Sequence, residues 1–190
     1  MSETKPTLNT EEKKLLVNVI STTKVYNDIY INLDDEIDFS KNYRDVYDTL
    51  IKATEDDKIF VVLNTIGGYI SSMNQIINNL LETKSTTTAI IHEASSAGAG
   101  IALACDKIEV KKFGYMMLHN VSGGAHGKVH ELESRIEHTK EWSKEINTEL
   151  YRGFLTDVEL QHMSDGKDFY FNKAEIERRL MNWVPMRKRK

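Results

Sequence analysis

Residues 86–100, TTTAIIHEASSAGAG, read as a strand, a turn and the start of a helix. The first six residues (TTTAII) are mostly β-branched, which is typical of a buried strand. The small residues run into the apolar stretch IALAC at 101–105, which favours a helix. Packing explains small residues at a buried turn, but it does not explain the adjacent hydroxyls of Ser95 and Ser96. This turn is therefore both a fold signal and a candidate functional site.

Strand and helix patterns alternate on both sides of this turn. Further strands are predicted at 29–33 (IYINL, closed by the charges at 34–36), at 58–63 (KIFVVL, covered on both faces) and at 116–118 (MML). Helices are predicted at 43–53, 71–81, 97–105 and 128–151. Alternating strands and helices form βαβ units, so the fold class is α/β with a mainly parallel sheet.

Two helices carry specific expectations. In the helix at 43–53, Val46, Leu50 and Ile51 are predicted to form the buried stripe. The helix at 128–151 follows Ser122-Gly123-Gly124 and is too polar for a core. Its apolar residues form a broken stripe that favours contact with another subunit. They are Leu132, Ile136, Trp142, Ile146 and Leu150.

Composition restricts the class of protein. Of the 190 residues, 40% are hydrophobic and 28% are charged, which is typical of a globular protein with a real core. The formal charge of −4 predicts no general affinity for nucleic acid, and no apolar run reaches the ~20 residues of a membrane span. A single cysteine, Cys105, excludes an intramolecular disulfide, and residues 1–6 lack the apolar segment of a secretory signal. Both features favour a cytoplasmic location.

No linker divides the chain, so residues 1–190 are expected to form one domain. Within it, residues 1–14 are expected to be flexible, and the basic residues 186–190 (MRKRK) to be a solvated tail.

Two turns of small residues follow predicted strands, where ligands bind in open α/β sheets. In LNTIGG, at 63–68, adjacent glycines permit positive φ and expose backbone N–H groups. In the turn at 94–99, a serine at a helix start lies beside unpaired amides and the positive end of the helix dipole, which stabilise an oxyanion. The alternative is that this serine only caps the helix.

His119 follows the predicted strand at 116–118 and is a candidate general base for a turn serine. A lone histidine after a strand can also be structural. The segment MSDGKDFYF, at 163–171, offers Asp165 and Asp168 to orient the imidazole ring. His126 and His130 are four residues apart, but no third ligand or H-E-x-x-H pattern accompanies them, so no metal site is predicted.

In order and spacing, these motifs resemble those of the proteolytic subunit of Clp protease, over residues 30–184. The family's N-S-P-G-G turn resembles NTIGG at 64–68, its A-A-S-M-G-A turn resembles ASSAGA at 94–99, and its M-I-H-Q-P resembles MLHNV at 117–121. Its glycine-rich segment and long handle helix resemble GGAHG at 123–127 and the helix that follows. The resemblance implies a Clp protease/crotonase-like ββα superhelix with a protruding handle helix. It also makes Ser96, not Ser95, the nucleophile.

The chain departs from the family pattern at several positions. Ile66 replaces the proline of the first turn, and the D-T-x-R-D segment that carries the family's aspartate is shorter here. A count with one deletion places that aspartate at Asp165, with Asp168 as the alternative, whereas an ungapped count places it at Ser164. Arg179 and Asn182 stand where the family has glycine and aspartate. The chain thus looks like a divergent member, and a phage-encoded origin is one interpretation.

The resemblance implies a serine endopeptidase in which Ser96, His119 and Asp165 form a triad. The backbone amides of Gly68 and Ala97 would form the oxyanion hole, and no metal or organic cofactor would be needed in this subunit. It also implies a homotetradecamer of two stacked heptameric rings, which receives unfolded proteins from an ATP-driven AAA+ unfoldase. The expected location is the cytoplasm of a bacterium, or of an infected host cell.

Two other interpretations remain open from the residues. One is a catalytically impaired ring subunit, or a phage head-maturation or scaffold component of the same fold. The other is a crotonase-type enzyme, which shares the fold and uses paired backbone amides to hold a thioester enolate. A crotonase-type reaction would leave Ser96 and His119 without a joint purpose.

Overall fold

The computed structural model describes residues 26–123 and 126–189. The expected flexible segment at 1–14 and the first apolar segment, LLVNVI at 15–20, lie outside the described residues. The strands are β1 Asp28–Ile37, β2 Lys58–Gly68, β3 Thr86–Ser95, β4 Lys107–Leu118 and β5 Phe169–Asn172. The helices are α1 Arg44–Lys52, α2 Ile70–Glu82, α3 Ala97–Ala104, α4 Val129–Tyr151, α5 Asp157–Ser164 and α6 Lys173–Leu180, with 3₁₀ turns at Ser40–Tyr43 and Met186–Lys188.

The five strands form one sheet in the order β1-β2-β3-β4-β5. The first three pairs are parallel, and β4 pairs with β5 antiparallel. Each parallel connection contains a helix, as the geometry of parallel pairing requires. The predicted α/β class with a mainly parallel sheet is confirmed, and the carboxyl ends of β2, β3 and β4 lie side by side.

The strands are longer than their apolar patterns predict. β1 continues through the acidic residues 34–36 to Ile37, with an irregularity in its pairing between Asp34 and Glu36. The strand predicted at 116–118 begins as early as Lys107, because the charged residues of β4 fall largely on exposed positions and so do not interrupt it. In β2, burial alternates, with Phe60 and Val62 half-buried, so the predicted coverage of both faces is wrong.

The stripe predicted for the first helix is correct at Leu50 and at Val46, which packs against the core, and wrong at Ile51. Tyr47 and Leu50 are buried in α1, whereas Ile51 is 69% exposed. The helix turns Tyr47 and Leu50 toward the core, which leaves Ile51 on the solvent side. By contrast, every residue of α3 is buried, and its small side chains allow close contact with β2, β3 and α2.

The long polar helix forms as predicted, as α4 Val129–Tyr151, and is called the handle helix below. Its buried residues all lie in its last nine positions: Ser143, Asn147, Leu150 and Tyr151. In its first half, Val129 is 72% exposed and Ile136 is 52% exposed. Within the described residues, no helix combines the length and the apolar character needed to cross a membrane.

The basic C-terminal segment is not a solvated tail. Arg187 lies 3.3 Å from Asp106 and donates a hydrogen bond to the backbone oxygen of Ser85 at 3.0 Å. Arg189 donates to the backbone oxygens of Val184 and Glu149. Composition could not predict that the segment packs on the domain, because its arginines bind backbone oxygens that are mostly distant in the chain.

Arg179, which stands where the resembled family has glycine, connects α6 with α5. Its guanidinium binds Glu159 at 2.7 Å and Glu175 at 2.8 Å, and it lies 4.4 Å from the ring centroid of Phe171. Glu159 also accepts hydrogen bonds from the backbone and hydroxyl of Thr156 at the start of α5. The guanidinium therefore fixes the helix that ends beside Asp165.

Candidate active site

The serine turn joins β3 directly to α3. Ser96 is the single residue between them, with φ 53° and ψ −115°, a conformation rare for residues other than glycine. Its N–H donates to the backbone oxygen of Met117 in β4 at 2.8 Å. Its side chain makes no capping hydrogen bond, so the interpretation of Ser96 as a helix cap is wrong. Such strain is typical of sharp strand-to-helix turns that expose a nucleophile.

His119 is the first residue after β4, and it contacts the serine. Its Nε2 atom lies 2.7 Å from the Oγ atom of Ser96, which is hydrogen-bonding distance. Since β3 and β4 are neighbouring parallel strands, the residues that follow their carboxyl ends meet at one edge of the sheet. The structure thus brings together the two residues that the sequence proposed as nucleophile and base.

The two glycines at the end of β2 pack against different neighbours, Gly67 against the serine turn and Gly68 against Ile37 of β1. Gly67 has φ +98°, and a Cβ atom there would lie 2.8 Å from the backbone oxygen of Ser95. At Gly68, with φ +147°, a Cβ atom would lie 2.8 Å from the backbone nitrogen of Ile37. Thr65 secures the turn, since its hydroxyl accepts from the N–H of Gly67 at 3.1 Å and donates to the backbone oxygen of Asp35. Only glycine fits at these two positions, because each has positive φ and a Cβ atom would clash with a neighbouring backbone.

One small cavity unites the predicted site residues. Ser96, His119, Gly68 and Ala97 all line a cavity of about 50 Å³. Apolar side chains from α2 and the handle helix form another part of its wall: Ile70, Met73, Ile146, Leu150 and Tyr151. The arrangement is suited to acyl transfer, because a serine–histidine pair and the two residues proposed to donate backbone N–H groups line one cavity.

The two candidate aspartates lie in the turn between α5 and β5. Asp165 ends α5, is exposed, and accepts a hydrogen bond from the side chain of Gln161 at 3.0 Å. Asp168 is exposed and precedes β5. Among the described residues, neither carboxylate hydrogen-bonds to the His119 ring. The third triad member stays a prediction.

The register of β5 bears on the choice between Asp165 and Asp168 as the third triad member. Leu118 of β4 lies opposite Phe169 of β5 in the antiparallel pair. The next residues along the two strands are His119 and Asp168. Asp168 therefore follows the strand register toward His119, whereas Asp165 is attached to the end of α5.

Asn120 and Asn147 also line the cavity, and sequence reasoning missed both. The Nδ2 atom of Asn147 donates to Oδ1 of Asn120 at 3.0 Å, and Asn147 is only 5% exposed. A signal was present, because Asn147 is a polar residue between Ile146 and Leu150 of the apolar stripe, but it does not identify the partner.

Cys105 is inert in this arrangement. It is fully buried, and burial raises the pKa of its thiol to about 12, so it is not a competing nucleophile. Over residues 26–123 and 126–189, no group of three or more His, Cys, Asp or Glu side chains is arranged to hold a metal ion.

Comparison with known proteins identifies the family. No curated protein matches the chain significantly. A model of the Clp protease family matches residues 12–176, which include both small-residue turns, His119 and the two candidate aspartates. The match covers most of the chain and agrees with the mixed α/β fold and its mostly parallel sheet. The chain therefore belongs to the Clp protease family, a family of peptidases.

Proposed function

We propose that the chain is a serine endopeptidase, the proteolytic subunit of an ATP-dependent Clp-type protease that hydrolyses unfolded polypeptides. The observation that carries this proposal is the distance of 2.7 Å between Ser96 Oγ and His119 Nε2 at a strained strand-to-helix turn. Membership of the Clp protease family supports it.

The reaction follows from the groups that line the cavity. His119 accepts the proton of Ser96 while the serine oxygen attacks the scissile carbonyl carbon. The N–H groups of Gly68 and Ala97 donate to the oxyanion, and loss of one such donor costs about 10²–10³ in rate. His119 then gives the proton to the leaving amine, and water hydrolyses the acyl-enzyme. No step requires a metal or an organic cofactor in this subunit.

We assign orientation of the His119 ring to the carboxylate of Asp165, with Asp168 as the alternative. A carboxylate in this role holds the correct tautomer and stabilises the imidazolium. Since neither carboxylate hydrogen-bonds to His119 among the described residues, we propose that the turn at 164–168 rearranges to complete the triad. We assign that rearrangement to ring assembly.

The proposed assembly is a homotetradecamer of two stacked heptameric rings in the cytoplasm, which receives substrate from a AAA+ unfoldase. The exposure of Val129 and Ile136 on the handle helix supports it, because apolar side chains on an otherwise polar helix favour contact with a partner. The active sites would then face a closed chamber that only unfolded chains enter.

The test is covalent labelling with a fluorophosphonate probe. We expect the probe to modify Ser96 in the wild-type protein and to leave Ser96→Ala unmodified. The absence of a hydrogen bond from His119 to either Asp165 or Asp168, among the described residues, favours one second candidate. It is a catalytically impaired ring subunit or phage scaffold component of the same fold. Ring assembly without any labelling would support that candidate, and a crotonase-type enzyme would also leave Ser96 unmodified.

A further inference from the structure

Asn120, the residue after His119, is hydrogen-bonded to the handle helix. The side chain of Asn120 accepts two hydrogen bonds at Oδ1, one from the N–H of Val121 at 2.8 Å and one from Nδ2 of Asn147 at 3.0 Å. Asn147 is 95% buried near the end of the handle helix. We infer that Asn147 is a positioning residue that holds His119 in place through Asn120, an inference that rests on the proposed function.

His119 needs such support because it lies just outside the sheet. The pairing of β4 with β5 ends at Leu118, and residues 119–121 belong to no helix or strand. On its amino side, the backbone of His119 is fixed by β4. On its carboxyl side, the first side-chain anchor is the amide of Asn120, so the hydrogen bond from Asn147 constrains where this segment leaves the strand.

The same amide also reaches the end of α5, next to Asp165. Nδ2 of Asn120 lies 3.5 Å from the backbone oxygen of Ser164, the residue before Asp165, which is a long hydrogen bond. Asn120 thus lies between the handle helix, the catalytic base and the end of α5. A displacement of Asn120 changes the position of His119 relative to both Ser96 and the turn that holds Asp165.

The expected size of the effect follows from the geometry of proton transfer. Displacing a catalytic group by about 1 Å costs about 10²-fold in rate, even when the cause is a remote residue. In metal sites, removing a group that orients a ligand costs about 10- to 100-fold in affinity or activity, and we expect a loss of this size here. We therefore expect Asn147→Leu to lower kcat by about 10- to 100-fold, with KM nearly unchanged.

The experiment measures the rate of fluorophosphonate labelling and peptide hydrolysis in a double-mutant cycle of the full chain. Its members are the wild type, Asn147→Leu, Asn120→Ala and the double variant. If the two residues act through their shared hydrogen bond, the double variant is no slower than the slower single variant. Ser143→Ala is the matched control, because Ser143 is a buried polar residue one turn earlier on the same helix that donates only to Lys140 within that helix. It should label at the wild-type rate.

The outcomes separate this inference from the proposed function. If the wild type does not label, the proposed function fails. If the wild type labels but Asn147→Leu labels equally fast, or if the two single effects multiply, the positioning role is wrong. Asn147→Asp, which keeps the shape but lacks the donor, replaces Asn147→Leu if the latter does not fold, and it is expected to show the same loss.

Discussion

Gly67 and Ser96 are so close that a Cβ atom on Gly67 would lie 2.6 Å from the Cβ atom of Ser96. Real Cβ atoms do not approach other side-chain atoms this closely, so the two turns fit only with hydrogen at position 67. The same atom would lie 3.0 Å from the backbone nitrogen of Ala97, one of the proposed oxyanion donors. Gly67 therefore shapes the nucleophile turn by contact as well as by its own conformation.

Gly67→Ala should displace Ser96 and lower its rate of fluorophosphonate labelling by about 10²-fold or more. It should also destabilise the protein, since the alanine meets both an unfavourable φ and a clash. Gly153→Ala is the control, because Gly153 also has positive φ, +78°, but a Cβ atom there meets nothing within 4 Å. It should cost only about 1–2 kcal/mol of stability and leave labelling unchanged. Equal labelling in both variants would show that the contact with Ser96 is unimportant.

Ser96→Ala should abolish peptide hydrolysis while preserving fold and assembly, because it removes only the attacking oxygen. Ser95→Ala is the matched control, because it removes the neighbouring hydroxyl. The Ser95 hydroxyl is buried and donates to Glu93 at 3.1 Å, away from His119, so its loss should leave hydrolysis largely intact. A peptide-cleavage assay decides between them. Retained activity in Ser96→Ala together with loss in Ser95→Ala would move the nucleophile to Ser95.

Asp165→Asn should lower kcat far more than Asp168→Asn, by about 10⁴-fold if it holds the His119 tautomer as carboxylates do in comparable triads. Steady-state hydrolysis of a peptide by the assembled protein measures the difference. The reverse order would assign the role to Asp168, which the strand register favours. Full activity in both variants would mean that Ser96 and His119 work as a dyad or with another partner.

Glu159 should make stability depend on acid pH. Hydrogen bonds from Arg179 are the main reason why the pKa of Glu159 falls from 4.5 to about 2, with backbone and hydroxyl bonds from Thr156 also lowering it. Because the folded pKa lies below the unfolded one, this contribution is complete above pH 4.5 and is lost as the pH falls toward 2. Glu159→Gln should therefore destabilise the protein by about 2 kcal/mol at pH 7, and by much less near pH 2.

Chemical denaturation at the two pH values measures this difference. Glu177→Gln is the control, since Glu177 forms an exposed pair with Lys173 and should change stability by less than about 1 kcal/mol at either pH. An equal effect of Glu159→Gln at both pH values would show that its ionised form does not stabilise the fold.

The wild-type protein should sediment as a tetradecamer in analytical ultracentrifugation at micromolar concentration. Ile136→Asp should reduce it to single rings, because it places a charge on the exposed apolar side of the handle helix. Glu137→Gln, one residue away, should leave the tetradecamer intact. A stable, active monomer of the wild type would contradict the chamber model. A single wild-type ring would show that the handle helix does not join two rings.

Local patterns predicted α1 to α4, but not α5 or α6, and they predicted the parallel character of the sheet. The apolar run of β3 and the small residues after it predicted a strand-to-helix turn at Ser96, and the alternation along the chain predicted parallel pairing. The patterns failed where the result depends on which side of a helix or strand is buried. Ile51 has the right chemistry for a core position but lies on the solvent side of α1, and the charges of β4 hid most of a strand that tolerates them on exposed positions.

In the candidate site too, some features follow from the sequence and others only from the tertiary structure. The identities and order of Ser96 and His119 are properties of the sequence, because each residue follows a strand whose type and direction can be read from its neighbours. Their separation of 2.7 Å, the clash that excludes a side chain at Gly67 and the link from Asn147 to Asn120 were decided only by tertiary structure. Each depends on two elements that are distant in the chain. A local sequence pattern cannot predict which atoms of two such elements come into contact.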